Sequence, residues 1–336
     1  MRIPAGIIKE VKPRKGIPET LKYEIELIQA KIELTRDFYG LEKPVWYFMK
    51  LGNFYFESKN YEKAIEQYEK VLEKEPGNAD ALFNRGFAYD EKGDHDKAIE
   101  DYDLYIEKIN PRDPGAYNNR GVAYDELKQF ERAIEDYNKA IELNPEDATP
   151  YCNRGNAYSH LKQHERAIED YNNAIRLNPE FADAYTIRGS TYGKLKQYDK
   201  QQEDYKKTLE LDPNHVGAML DFSESYILTK NYIDAHEMAE KALNVAEENK
   251  DVIISHFLVV CSSLFQNKKE DAKSQLNSLF SYIETIKDWT LEWDFSDIKQ
   301  AIESSEVDED AKSLMLSLIE LLKNKITLDE FKQSQL

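Results

Sequence analysis

Cysteine, glycine and proline are scarce in this chain of 336 residues, at 2, 13 and 11 residues. Cys152 and Cys261 stand far apart in unrelated contexts. That excludes a disulfide framework and a cysteine-based metal site, and favours a reducing compartment. So few turn-forming residues exclude a loop-rich β architecture and favour helices. No apolar run approaches the roughly 18 residues of a membrane span. The first nine residues lack the apolar stretch and small-residue cleavage site of a secretory signal. The expectation is a soluble, cytoplasmic protein with no membrane insertion.

Positive charge is also in short supply: 45 Lys and Arg against 64 Asp and Glu give a net charge of −19. The imbalance is −14 over residues 45–247 and −7 over 248–336, whereas residues 1–44 carry +2. A field of that sign repels phosphate backbones and attracts basic partners, so nucleic acid is not the expected ligand. Neither phosphate-cradling glycine pattern, G-x-x-x-x-G-K or G-x-G-x-x-G, is present. His160 and His164 are four apart, but they fall at the end of one helix and the start of the next, with no further ligands to complete a metal site. Cys152 stands where parallel positions hold Asn118 and Thr186, a tolerated substitution rather than a reactive thiol. No nucleophile, base and electrophile converge, so no enzyme, metal or cofactor is expected.

What the sequence does have is a period. Gly52, Gly86, Gly121, Gly155 and Gly189 recur at intervals of 34 or 35 residues. Three residues after each stands Tyr55, Tyr89, Tyr124, Tyr158 or Tyr192. Twelve after come Ala64, Ala98, Ala133 and Ala167, then Gln201 as the exception. Tyr68, Tyr102, Tyr137, Tyr171 and Tyr205 follow four residues later, and prolines from Pro76 to Pro213 close the units. Apolar residues three and four apart in each half predict two helices per unit. The small glycine and alanine let those helices approach, and the residue before each proline is driven out of the α region. The pattern Phe48-x-x-Leu51-Gly52-x-x-Tyr55…Ala64-x-x-x-Tyr68…Pro76 resembles the tetratricopeptide repeat (TPR) signature. The resemblance implies an all-α, right-handed TPR superhelix, an α-solenoid of about six helix–turn–helix repeats. The units are 45–78, 79–113, 114–147, 148–181, 182–215 and a degenerate 216–247. The second is one residue longer, and the extra residue is expected in its second helix.

A second recurrence concerns charge. Position 7 of repeats 2 to 5 is Arg85, Arg120, Arg154 and Arg188, and position 23 is Asp101, Asp136, Asp170 and Asp204. Repeat 1 has Leu51 with Gln67, and repeat 6 has Phe222 with Met238, so arginine and aspartate occur together or not at all. Each arginine is therefore expected to pair with the aspartate of its own repeat as a structural contact. The flanks read as caps: residues 1–44 as a basic arm followed by a helix over 19–39, and 248–336 as degenerate helices ending in an apolar one from Leu314 to Leu322. The basic arm, residues 1–16, is a candidate occupant of the solenoid's own groove.

In a TPR array the first helix of each repeat lines the concave groove, which makes its outward positions the candidate site. Position 6 is Asn84, Asn119 and Asn153 in successive repeats, similar to the asparagine ladder in the TPR region of O-GlcNAc transferases. A side-chain amide both donates and accepts, as a peptide unit requires. The cations of the carboxylate clamp that holds chaperone tails are missing at Met49, Asn53, Asn84, Gly115 and Asn119. Acids at Asp90 and Asp125, with Phe83 and Phe87 beside them, suit a basic extended segment with an apolar anchor. The expected function is a protein–protein interaction scaffold that binds such a peptide or protein segment. The runner-up is a regulator gated by a ligand or peptide in the groove.

Overall fold

The computed structural model describes residues 43–286, 291, 293–323, 328 and 331. The expected arm and helix over residues 1–42 lie outside the described residues. Among those described there are sixteen α-helices and no strand. The chain divides into two compact units, residues 1–179 and 180–336.

The first unit holds four helix pairs. They are α1 (Val45–Glu57) with α2 (Tyr61–Lys74), α3 (Ala79–Lys92) with α4 (His95–Lys108), α5 (Pro114–Glu126) with α6 (Phe130–Leu143), and α7 (Ala148–His160) with α8 (His164–Leu177). Each helix packs on the next in sequence, so every pair leans on its neighbours. Ala64, Ala98, Ala133 and Ala167 are fully buried where paired helices cross, and Tyr68, Tyr102, Tyr137 and Tyr171 are at most 1% exposed. A buried side chain of that size contributes about 2–3 kcal/mol.

The turns explain the punctuation in the sequence. Asn78, Asp113 and Asp147 cap the helices that follow them, accepting from Ala81 N at 3.0 Å, Gly115 N at 2.9 Å and Thr149 N at 2.9 Å. Within each pair the first helix ends in a left-handed residue, Lys59, Gly93, Lys128 or Lys162. Its φ of about 60° at the lysines is a conformation natural to glycine. The extra residue of the second repeat is not in its second helix, as the sequence had implied. Helix α4 has the same 14 residues as α2 and α6. Ile109 N and Asn110 N both donate to Tyr105 O at 3.0 and 2.9 Å, which closes the helix early and leaves the surplus in the turn.

The second unit begins with α9 (Ala182–Lys194) and α10 (Tyr198–Leu211), then α11 (Val216–Leu228) and α12 (Tyr232–Val245). Longer helices follow, α13 (Asn249–Phe265) and α14 (Lys269–Thr285), then α15 (Ser296–Glu303) and α16 (Glu309–Leu322). From Ile253 to Leu264 every residue of α13 is buried. Its core joins Leu220, Ile227, Phe257, Leu279, Phe295, Ile298, Met315 and Leu318 in one cluster. Gln201, the exception at the alanine position, is accommodated by Gly193, where a Cβ would lie 2.4 Å from the Gln201 amide nitrogen.

Candidate interaction surface

In the first unit each tyrosine of a second helix lies across the glycine of its partner helix. A Cβ added to Gly121 would sit 2.7 Å from a Tyr137 ring carbon, and one on Gly155 2.6 Å from Tyr171. No side chain fits, and the ring passes beneath the first helix instead. Its hydroxyl then emerges among the first-helix side chains. Tyr68 donates to Asn53 Oδ1 at 2.8 Å and Tyr171 to Asn156 Oδ1 at 2.9 Å. Burial pushes the Tyr102 and Tyr137 phenols well above their ordinary range, and the carboxylates of Asp90 and Asp125 add to the effect.

The amides of the first helices form two local networks. Asn84 on α3 donates to Asn53 on α1 at 3.2 Å. Asn153 on α7 donates to Asn118 on α5 at 3.0 Å, and Asn118 in turn donates to Asn119 at 3.4 Å. Asn84 and Asn153 are half-buried, whereas Asn119 is only 7% exposed. Asp125 is half-buried on the same helix as Asn119, and Asp90 is buried with its Oδ1 2.8 Å from His95 Nδ1. The phenylalanines face inward more than their spacing implies. Phe87 is 6% exposed and lies 5.0 Å from the Phe56 ring, while Phe83 meets Tyr102 and Tyr105 edge-on at 5.7 and 5.4 Å. Phe83 is half-buried like Asn84, so the accessible part of this surface is amide and carboxylate with part of one ring, while Phe87 lies below it.

The arginines are engaged elsewhere in each pair. Arg85, Arg120 and Arg154 each grip the aspartate of their own repeat, Asp101, Asp136 or Asp170, with Nε at 2.8 Å and Nη2 at 2.6 Å. In the second unit Arg188 grips Asp204 with the same geometry. These forks match guanidinium to carboxylate through two parallel bonds. Burial raises the Asp101, Asp136 and Asp204 carboxyls, and the facing arginines pull them back only in part. The sequence reading missed a third contact. Arg120 Nη1 reaches back to Asp103 on α4 at 2.6 Å, and Arg154 Nη1 to Asn138 on α6 at 2.5 Å. Each of these two arginines thus ties three helices together. The signal was present at position 25, but it joins one repeat to the next and escapes a search within a repeat.

The tetratricopeptide repeat model matches residues 80–109, 114–147, 148–181 and 182–215, and a TPR repeat model matches 52–93. The chain carries tetratricopeptide repeats. Solved structures share the fold. The C-terminal part of a TPR repeat-containing protein from Cytophaga hutchinsonii aligns at 21% identity and a TM-score of 0.55, covering 71% of this chain and 96% of that one. Pseudomonas aeruginosa pilF aligns at 20% identity and a TM-score of 0.53, covering 62% and 96%. A chain of the APC/C hetero-tetramer Cut9-Hcn1 aligns at 19% identity and a TM-score of 0.56, covering 71% and 45%. At these identities the likeness shows the all-α TPR solenoid fold. No curated protein matches the sequence. Among the described residues no helix is long and apolar enough to cross a membrane.

Proposed function

We propose that this TPR protein is an interaction scaffold whose first unit holds an extended, basic peptide or protein segment along its first-helix face. The observation that carries the reading is the set of half-buried amides, Asn84, Asn118 and Asn153, on α3, α5 and α7, flanked by exposed carboxylates at Asp80, Glu91 and Glu126. Amides address the backbone of an extended chain, since each offers a donor and an acceptor. Carboxylates select lysine and arginine on that chain and steer its approach. Asn119, Phe83 and Phe87 act from beneath by fixing the amides and the helices that bear them. Asp90 and Asp125 set the field at the centre of the face. The proposed role is binding.

An arrayed library of synthetic peptides, probed with the full-length protein, tests the reading. Bound peptides are expected to be enriched in lysine and arginine and to lose affinity as salt rises. Asn84→Ala with Asn153→Ala is expected to weaken every bound peptide about thirtyfold regardless of its side chains, at about 1 kcal/mol for the hydrogen bond lost at each position. Asp125→Asn is expected to weaken only the basic ones. A bound set with no charge preference, or unchanged affinity in the asparagine variant, rejects the proposal.

A further inference from the structure

In the second unit the eight-residue helix α15 lies on α11, the first helix of the sixth pair. Helix α11 also packs against α9, α10, α12 and α13, so α15 covers a side that the paired helices leave open. The contact is apolar at its centre. Phe295, Ile298 and Ile302 are at most 1% exposed and join Leu220 and Ile227 of α11 in one cluster. Phe295 also meets Phe257 of α13 edge-on at 5.3 Å. The three anchors are spaced three and four residues apart, the pattern by which an amphipathic helix seats itself in a groove.

The polar margin of the same contact opposes like charges. Asp221 and Glu224, three apart on α11, share a helix face. Glu224 is met by Asp294 and Asp297, which flank the start of α15. Burial raises the Glu224 carboxyl well above its ordinary range, and Asp221, Asp297 and Asp294 raise it further. Asp221 is pushed up to about 6 by burial, against the relief given by a hydrogen bond from Tyr205 at 3.2 Å and by His215 and Lys194. Tyr198 of α10 faces Asp297 and Glu224 as well. On the α15 side Lys299 reaches Glu303 at 4.0 Å, and Lys323 lies over the Phe295 ring at 5.6 Å and near Asp294. Among the described residues the charges acting on Glu224 are all acidic, and neither lysine is one of them. A two-turn helix has little stability of its own, and this one docks with its shape matched and its charge mismatched.

We propose that the side of α11 covered by α15 is a docking groove for an amphipathic helix of a partner protein, and that α15 is its resident, displaceable occupant. The partner helix would carry three apolar anchors at the spacing of Phe295, Ile298 and Ile302, with basic residues where α15 has Asp294 and Asp297. Its charges would complement Asp221 and Glu224, whereas Asp294 and Asp297 stand against Glu224. This groove is separate from the peptide face of the first unit, and either proposal stands or falls without the other.

The probes are two synthetic peptides spanning residues 293–304, one native and one with Asp294→Lys and Asp297→Lys, added to the full-length protein. Fluorescence anisotropy reads binding, and hydrogen–deuterium exchange reads displacement of α15. The lysine peptide is expected to bind about tenfold more tightly than the native one. It is also expected to speed exchange at residues 296–303 while α13 keeps its protection. In a chain carrying Asp221→Asn and Glu224→Gln the two peptides are expected to bind alike. Failure of the lysine peptide to bind, retained protection of α15 at its saturation, or an equal preference for that peptide in the doubly substituted chain overturns the proposal.

Discussion

Gly121 and Tyr137 occupy one volume between them. The glycine leaves the space and the ring fills it. The sixth helix pair shows the other solution: Ser223 replaces the glycine and donates to Ala235 O at 2.7 Å, and Ala239 replaces the tyrosine. The small residue and the ring are exchanged together. Gly121→Ala is therefore expected to lower stability by about 1–3 kcal/mol through overpacking. Tyr137→Ala is expected to cost about 3–5 kcal/mol through the cavity it leaves. In the double variant the alanine at 121 should add almost nothing, because the ring it strikes is gone. Urea denaturation of the four proteins measures this coupling, and simple additivity would show that the two residues do not share a site. Both positions were legible in the sequence. What periodicity alone did not reveal was the object filling the gap: it showed that helices come close, not that a ring runs between them.

At the scale of the helix, the arginine forks decide how second helices are held. Arg120 binds Asp136 in its own pair and Asp103 in the pair before, with its side chain 17% exposed and that of Asp136 9%. Removing the cation leaves two carboxylates facing each other in a partly buried site, and that is where the cost arises. Arg120→Leu is expected to cost about 3 kcal/mol. Adding Asp136→Gln should recover more than half, since the first pair uses Leu51 with Gln67 in the same places. Thermal or urea unfolding distinguishes the outcomes; a double variant as unstable as the single one would mean that the charge, and not its balance, holds the helices. The Arg–Asp register was readable because both members recur at one period. The α15 contact was not readable, because nothing in residues 289–308 repeats and two turns of helix leave too short a pattern. The inward placement of Phe83 and Phe87 was hidden for a related reason: a first-helix position can face the groove in one repeat and a neighbouring ring in the next.

Taken as whole bodies, the two units bury their apolar groups differently. In the first, buried residues fall into small clusters, such as Ala64, Ile65, Tyr68 and Ala88, or Val122, Tyr124, Ala133, Tyr137 and Ala157. In the second, one large cluster runs from Met219 to Phe331 around α13, beside a small one of Tyr205, Ala218 and Phe222. The TPR signature is strongest where the core is divided and fades where the core becomes continuous. The division has a physical basis: a signature repeat needs only its nearest neighbours, so its packing is solved locally and can recur, whereas a helix buried on all sides answers to many partners and keeps no period. Local solutions open locally. Native-state hydrogen exchange in rising urea is therefore expected to show α5 amides, including those of Val122 and Ala123, exchanging through partial openings with a weak urea dependence. Amides of Ile253–Leu264 should exchange only when the whole second unit opens, with the steep dependence that exposure of a large surface imposes. Equal slopes and equal free energies for α5 and α13 would mean that the continuous core confers no cooperativity beyond that of the stacked pairs.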